Sequence, residues 1–150
     1  MLASNSDAKL EYTNIPSRAV CCGQVCSYQY VDGMESILAQ LHEAQVPMHV
    51  MSNYPVWWRN VDSQLNLSAY IPWTFVSCEG PMKGMRKPQP ECFACVQAHV
   101  QDLLGNKTSQ LLLIDDRTPN VEGAVQAGWD GIVFKNAKQL QQELEHRGIL

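Results

Sequence analysis

Two adjacent carboxylates, Asp115 and Asp116, close an aliphatic run, Leu111–Ile114. A pair of acids at the end of a buried strand suits a hard cation such as Mg²⁺, which takes one or two carboxylates and completes its shell with waters and phosphate oxygens. Two further groups fit the same chemistry. Ser52, in HVMSNYP, puts a hydroxyl at a strand end beside backbone N–H groups, Asn53 included, a setting that suits a phosphate oxygen. Lys87, in GMRKPQPECF, is a lysine held by the neighbouring prolines Pro88 and Pro90 at the mouth of a helix, a point charge for phosphate or for a carboxylate nucleophile. Each has an ordinary explanation when taken singly. A serine at a strand end is commonly a turn residue, a loop lysine is commonly solvated, and paired acids before a helix are commonly a cap. Their order and spacing together carry more weight than any one of them.

The elements that position these groups alternate strand and helix. Asp32 with Glu35 reads as a capping box opening a helix through Ile37, Leu38, Leu41 and Ala44. Val46-Pro47 ends it and starts a strand, Met48–Met51. Val56–Leu67, with Trp57, Trp58, Val61 and Leu65, reads as an amphipathic helix in which one tryptophan packs and the other can shape a pocket wall. A short strand lies within Tyr70–Cys78, and Glu79–Pro90 is a Gly/Pro/Lys/Arg loop. Glu91–Leu104 is helical with Gly105 as C-cap. The acidic strand is followed by a helix from Val121 to Ala127, a last strand Gly131–Phe134 and a terminal helix Ala137–Leu150. This pattern predicts an α/β fold with a parallel sheet and helices on both faces. Residues 1–18 read as a poorly ordered lead-in and 19–150 as one core domain.

The chain has 150 residues, 45% of them hydrophobic, enough for one core. A net charge of -4 offers no basic surface for nucleic acid, and no run is apolar enough to span a membrane. The N-terminus lacks a signal peptide's apolar centre, which makes the cytoplasm the default location, or a chloroplast or other organelle if the true N-terminus lies upstream. Six cysteines are present; Cys92 and Cys95 form a CxxC near His99, but no second ligand pair stands at zinc spacing, so ordinary thiols are favoured.

In order and spacing, these motifs resemble those of the haloacid dehalogenase superfamily, most of whose members are Mg²⁺-dependent phosphohydrolases. His49–Ser52 matches the family's strand ending in Ser or Thr, and Lys87-Pro88-Gln89-Pro90-Glu91-Cys92-Phe93 fits its KPxPxxF motif at every fixed position. LLLIDDRTPNVEGAVQAGW resembles the acidic fourth motif, with Asn120 where many relatives have another acid. The resemblance implies catalytic roles for Lys87 and Asp116, phosphate binding by Ser52, Asn53 and Lys87, and a metal held by Asp115 and Asp116, with Asp116 the more direct ligand. The wording from MSNYPVWWR to the lysine loop is similar to plant and algal flavin mononucleotide hydrolases, implying a small phosphorylated metabolite as substrate, with FMN favoured.

One motif is missing. The family's first strand ends in DxDxT, whose first Asp is the nucleophile and whose third-position Asp is the acid/base, yet no Asp-X-Asp occurs here. Upstream of Ser52 the only aspartates are Asp7 and Asp32. There is also no room for a full cap before Ser52. The resemblance makes the missing strand central, so two buried strand edges would lack partners. Either the chain is a truncated form, or residues near 20–25 take the vacant place, with Cys26 or Ser27 near the nucleophile position as mere sheet completion. Little or no hydrolysis is expected of this chain alone. The alternative function is a catalytically silent phosphate-binding or interaction module.

Overall fold

The computed structural model describes residues 10–13, 17–22, 25–103 and 110–150, with side chains from residue 28 onward. A five-stranded sheet organises it. Its strands are β1 (Leu10–Thr13), β4 (Met48–Ser52), β5 (Phe75–Val76), β6 (Leu111–Asp115) and β7 (Asp130–Val133), in the order β5-β4-β1-β6-β7, with every pairing parallel. The remaining strands, β2 (Ser17–Cys22) and β3 (Val25–Tyr30), form a separate antiparallel hairpin.

This topology corrects one expectation. The central place is filled, but by Leu10–Thr13 and not by residues near 20–25, which belong to the hairpin. Thr13 lies opposite both Val50 and Ile114, so β1 joins the two strands that carry Ser52 and Asp115. Within the stretch read as lead-in, Leu10–Thr13 are therefore sheet and Ser17 and Arg18 open the hairpin; residues 1–9 and 14–16 lie outside the described residues.

Strand β6 is buried along its whole length, as a strand covered on both faces must be. Leu112 and Ile114 face one core with Leu38, Leu41, Val50, Leu140 and Leu144. Leu111 and Leu113 face the other with Met51, Phe75, Phe93, Val96 and Trp129. The first core is closed by α1 (Met34–Glu43), α2 (Trp58–Leu65) and α5 (Ala137–His146), the second by α3 (Pro90–Leu103) and α4 (Thr118–Gln126). Helices thus cover both faces, as the alternating pattern predicts.

Several helix starts differ from expectation. Helix α1 begins after Gly33, which has φ +85° and leaves Asp32 without a capping bond. Helix α2 begins at Trp58, and α4 begins at Thr118, one turn before Val121, with Pro119 in its first turn. Asn136 caps α5 by accepting from the N–H of Gln139 at 2.9 Å. The C-cap assigned to Gly105 lies outside the described residues. Of the two adjacent tryptophans, Trp58 packs, stacking on Trp73 with ring centroids 4.9 Å apart, while Trp57 is 64% exposed.

Candidate active site

The functional candidates meet at the carboxyl end of the sheet, where open α/β sheets bind ligands. Ser52 closes β4 and Asp115 closes β6, and both lie past the end of β1. The Lys87 loop reaches across to join them. Its Nζ donates to Asp115 Oδ2 at 2.6 Å and to the Met51 carbonyl at 2.5 Å, with both side chains of the ion pair fully buried. A buried ammonium is tolerable only when charge-paired and hydrogen-bonded, and this one is both. Burial still pulls the Lys87 ammonium below its ordinary pKa, against the opposing pull of Asp115.

Asp115 is saturated. Besides Lys87, its Oδ1 accepts from the Arg117 N–H at 2.8 Å, and the Asn120 amide donates to both oxygens at 3.1 and 3.0 Å. A carboxylate offers about four acceptor positions, so these bonds leave Asp115 little capacity for a cation. The expectation that both acids are metal ligands therefore divides. Asp115 anchors Lys87, and Asp116, which is exposed, is the carboxylate open to a metal. Burial raises the Asp116 pKa first, followed by repulsion from Asp115 and a hydrogen bond to it. Among the described residues no cluster of three His, Cys, Asp or Glu side chains supplies a complete metal shell.

Ser52 is buried, and its hydroxyl makes no hydrogen bond among the described residues, leaving it available to an incoming oxygen. Its carbonyl accepts from the Ser77 N–H at 2.9 Å, tying β4 to the turn after β5. The Asn53 side chain has a supporting role. Its amide grips the lysine backbone, accepting from the Lys87 N–H and donating to the Lys87 carbonyl, both at 2.8 Å. Its side chain is thus consumed in placing Lys87, and only its backbone N–H remains for phosphate.

Helix α4 completes the support. A Cβ on Gly123 would fall 2.9 Å from the Phe93 ring and 3.1 Å from Pro88, so a glycine there lets α4 close onto the lysine loop. Sequence reasoning left the role of Asn120 open and missed the clamp made by Asn53. The Asn120 position is legible only once α4 is known to start at Thr118, which turns that residue back over Asp115. The CxxC does not join this centre as a metal pair. Cys92 is buried in the core with its thiol pushed up to about 12 by desolvation, while Cys95 donates to the Pro81 carbonyl at 3.2 Å.

No family model matches the chain. The sequence is 39% identical over 122 residues to the chloroplast flavin mononucleotide hydrolase 1 of Arabidopsis thaliana, a match that covers 81% of this chain and 47% of that protein. The chain thus spans about half the length of the curated relative it matches. Its fold superposes on a hydrolase from Streptococcus pneumoniae with a TM-score of 0.64 at 21% identity, covering 79% of this chain and 58% of that one. It also superposes on a haloacid dehalogenase-superfamily hydrolase from Ehrlichia chaffeensis with a TM-score of 0.58 at 20% identity, covering 83% and 62%. The fold is that of the haloacid dehalogenase-like hydrolases, and the sequence resembles a flavin mononucleotide hydrolase.

Proposed function

We propose that this chain carries the phosphate- and cation-binding half of a Mg²⁺-dependent phosphomonoester hydrolase site for a small phosphorylated metabolite, with FMN the favoured ligand. The observation that carries the reading is the buried Lys87–Asp115 pair at 2.6 Å, set beside the free hydroxyl of Ser52 and the exposed Asp116. Lys87 supplies a fixed positive charge to a phosphoryl group, and Ser52 donates a hydrogen bond to one of its oxygens. Asp116 would hold Mg²⁺, which supplies charge neutralisation on the transferring phosphoryl group. Asp115 keeps the lysine in place, and Asn120 keeps Asp115 in place.

Hydrolysis in such a site needs a carboxylate to attack phosphorus, and after Thr13 the sequence runs Asn14-Ile15-Pro16 with no acid. Little or no turnover is therefore proposed for this chain alone. The same observation favours the second reading, a phosphate-binding module without catalysis. Assay of p-nitrophenyl phosphate and FMN with Mg²⁺ separates the two. Robust turnover abolished by Asp116→Asn would overturn the silent reading, and Mg²⁺-dependent binding without turnover would support it. The similarity to a chloroplast relative favours a plastid location over the cytoplasm. Among the described residues no helix is long and apolar enough to cross a membrane.

A further inference from the structure

Beside the Lys87 centre, the loops that follow β4 and β5 border an open cavity of about 420 Å³ lined by Asn53, Pro55, Ser77, Cys78, Gly84 and Arg86. That volume falls within the range of small-molecule pockets, roughly 300–1,000 Å³. The cavity lies on the same carboxyl edge of the sheet as Ser52, displaced toward the β5 side. It shares a wall with the phosphate centre, because Asn53 lines the cavity and also grips the Lys87 backbone. Arg86 precedes Lys87 directly, so the same clamp fixes where its side chain begins.

Arg86 is exposed at this cavity. Among the described residues no carboxylate pairs with the Arg86 guanidinium. Glu79, the acid nearest to the cavity in the chain, is already held by Arg59 and by Trp58 Nε1, each at 2.6 Å. A guanidinium offers a planar fork of donors and a face that stacks on aromatic rings, and an ammonium offers neither. Hydroxyl and amide groups of Ser77 and Asn53 line the same space, although Asn53 spends its amide on Lys87. A planar ring with carbonyl oxygens on its edge matches both properties of Arg86.

We propose that this cavity receives the non-reacting part of the phosphate ester, a planar carbonyl-bearing heteroaromatic group, with Arg86 as its specificity-determining residue. The assignment rests on the phosphate-ester reading of the Lys87 centre. It divides the ligand in two: Ser52, Lys87 and Asp116 take the phosphoryl end, and Arg86 takes the ring.

The test measures binding to the full chain in Mg²⁺ buffer, with FMN and glycerol phosphate as probes, and uses Cys78 as a reporter. Cys78 is a partly exposed free thiol in the cavity wall, so its alkylation rate, read by mass spectrometry, reports occupancy without any turnover. FMN should slow Cys78 alkylation, whereas glycerol phosphate should not. Arg86→Ala should weaken FMN binding by about tenfold or more and leave glycerol phosphate within twofold. Arg86→Lys should not restore FMN, because the fork and stacking face are lost. If wild-type chain fails to bind glycerol phosphate, the phosphate reading itself fails. If glycerol phosphate binds but FMN is indifferent to Arg86→Ala, or leaves Cys78 unprotected, the cavity assignment is overturned. Recovery with Arg86→Lys would also overturn it, since the group recognised would then be an anion and not a ring.

Discussion

Asp115 is the residue on which the candidate site turns, and it acts by what it holds. It accepts from Lys87, Arg117 and Asn120 with no exposed surface. Removing one partner of such a pair leaves a buried charge unmatched, at a typical cost of about 3–5 kcal/mol. Asp115→Ala should therefore lower stability by about that amount in urea unfolding, and Asp116→Asn should leave it almost unchanged while abolishing Mg²⁺ binding. An equal loss of stability from both would contradict the division of labour between the two acids. His49 gives a separate prediction. Burial first, and then repulsion from His99, lower its pKa from the ordinary histidine value, and its Nδ1 lies 2.7 Å from Thr74 Oγ1. The unfolded chain thus binds a proton that the folded chain resists. Stability is full above the ordinary value of about 6.5 and falls as pH drops below it. His49→Gln should flatten that part of the stability–pH curve, and an unchanged slope would assign the effect to other groups.

At the scale of elements, the strands that carry chemistry were the easiest to read. Leu111–Ile114 is an apolar run and Met48–Met51 a run broken only by His49, both bounded by polar turns, as strands covered on both faces require. Strand β1 was not legible, because Leu10-Glu11-Tyr12-Thr13 is too short and too mixed to announce a central strand. It is identified by its two parallel neighbours, which are set by the rest of the sheet. The start of α1 was misread for a local reason: Gly33 takes a left-handed conformation, so the Asp32 side chain lies outside capping geometry. The sequence singles out Ser52, Lys87 and Asp115, which the fold brings to one end of the sheet, whereas the Asn53 clamp depends on a contact across 34 positions that no local pattern encodes. The contact of α4 with the lysine loop makes its own prediction. Gly123→Ala places a methyl against Phe93 and the Pro88 backbone, and should cost about 1–3 kcal/mol and weaken phosphate binding with it. A variant of wild-type stability and affinity would show that α4 does not set the lysine.

For the whole molecule, the sheet brings Ser52, Lys87 and the two acids to one end, as one side of the proposed site. Thr13 ends the central strand between Val50 and Ile114, and the residues that directly follow it, Asn14-Ile15-Pro16, carry no carboxylate to attack phosphorus. The lysine, the serine and the free aspartate are built and held, so binding is expected to survive where turnover does not. The direct measurement is calorimetric titration of inorganic phosphate into the chain, with and without Mg²⁺, for wild type, Lys87→Met and Asp116→Asn. The account predicts Mg²⁺-dependent binding by wild type, lost in Asp116→Asn and in folded Lys87→Met. Binding that persists in both variants, or that ignores Mg²⁺, would contradict it.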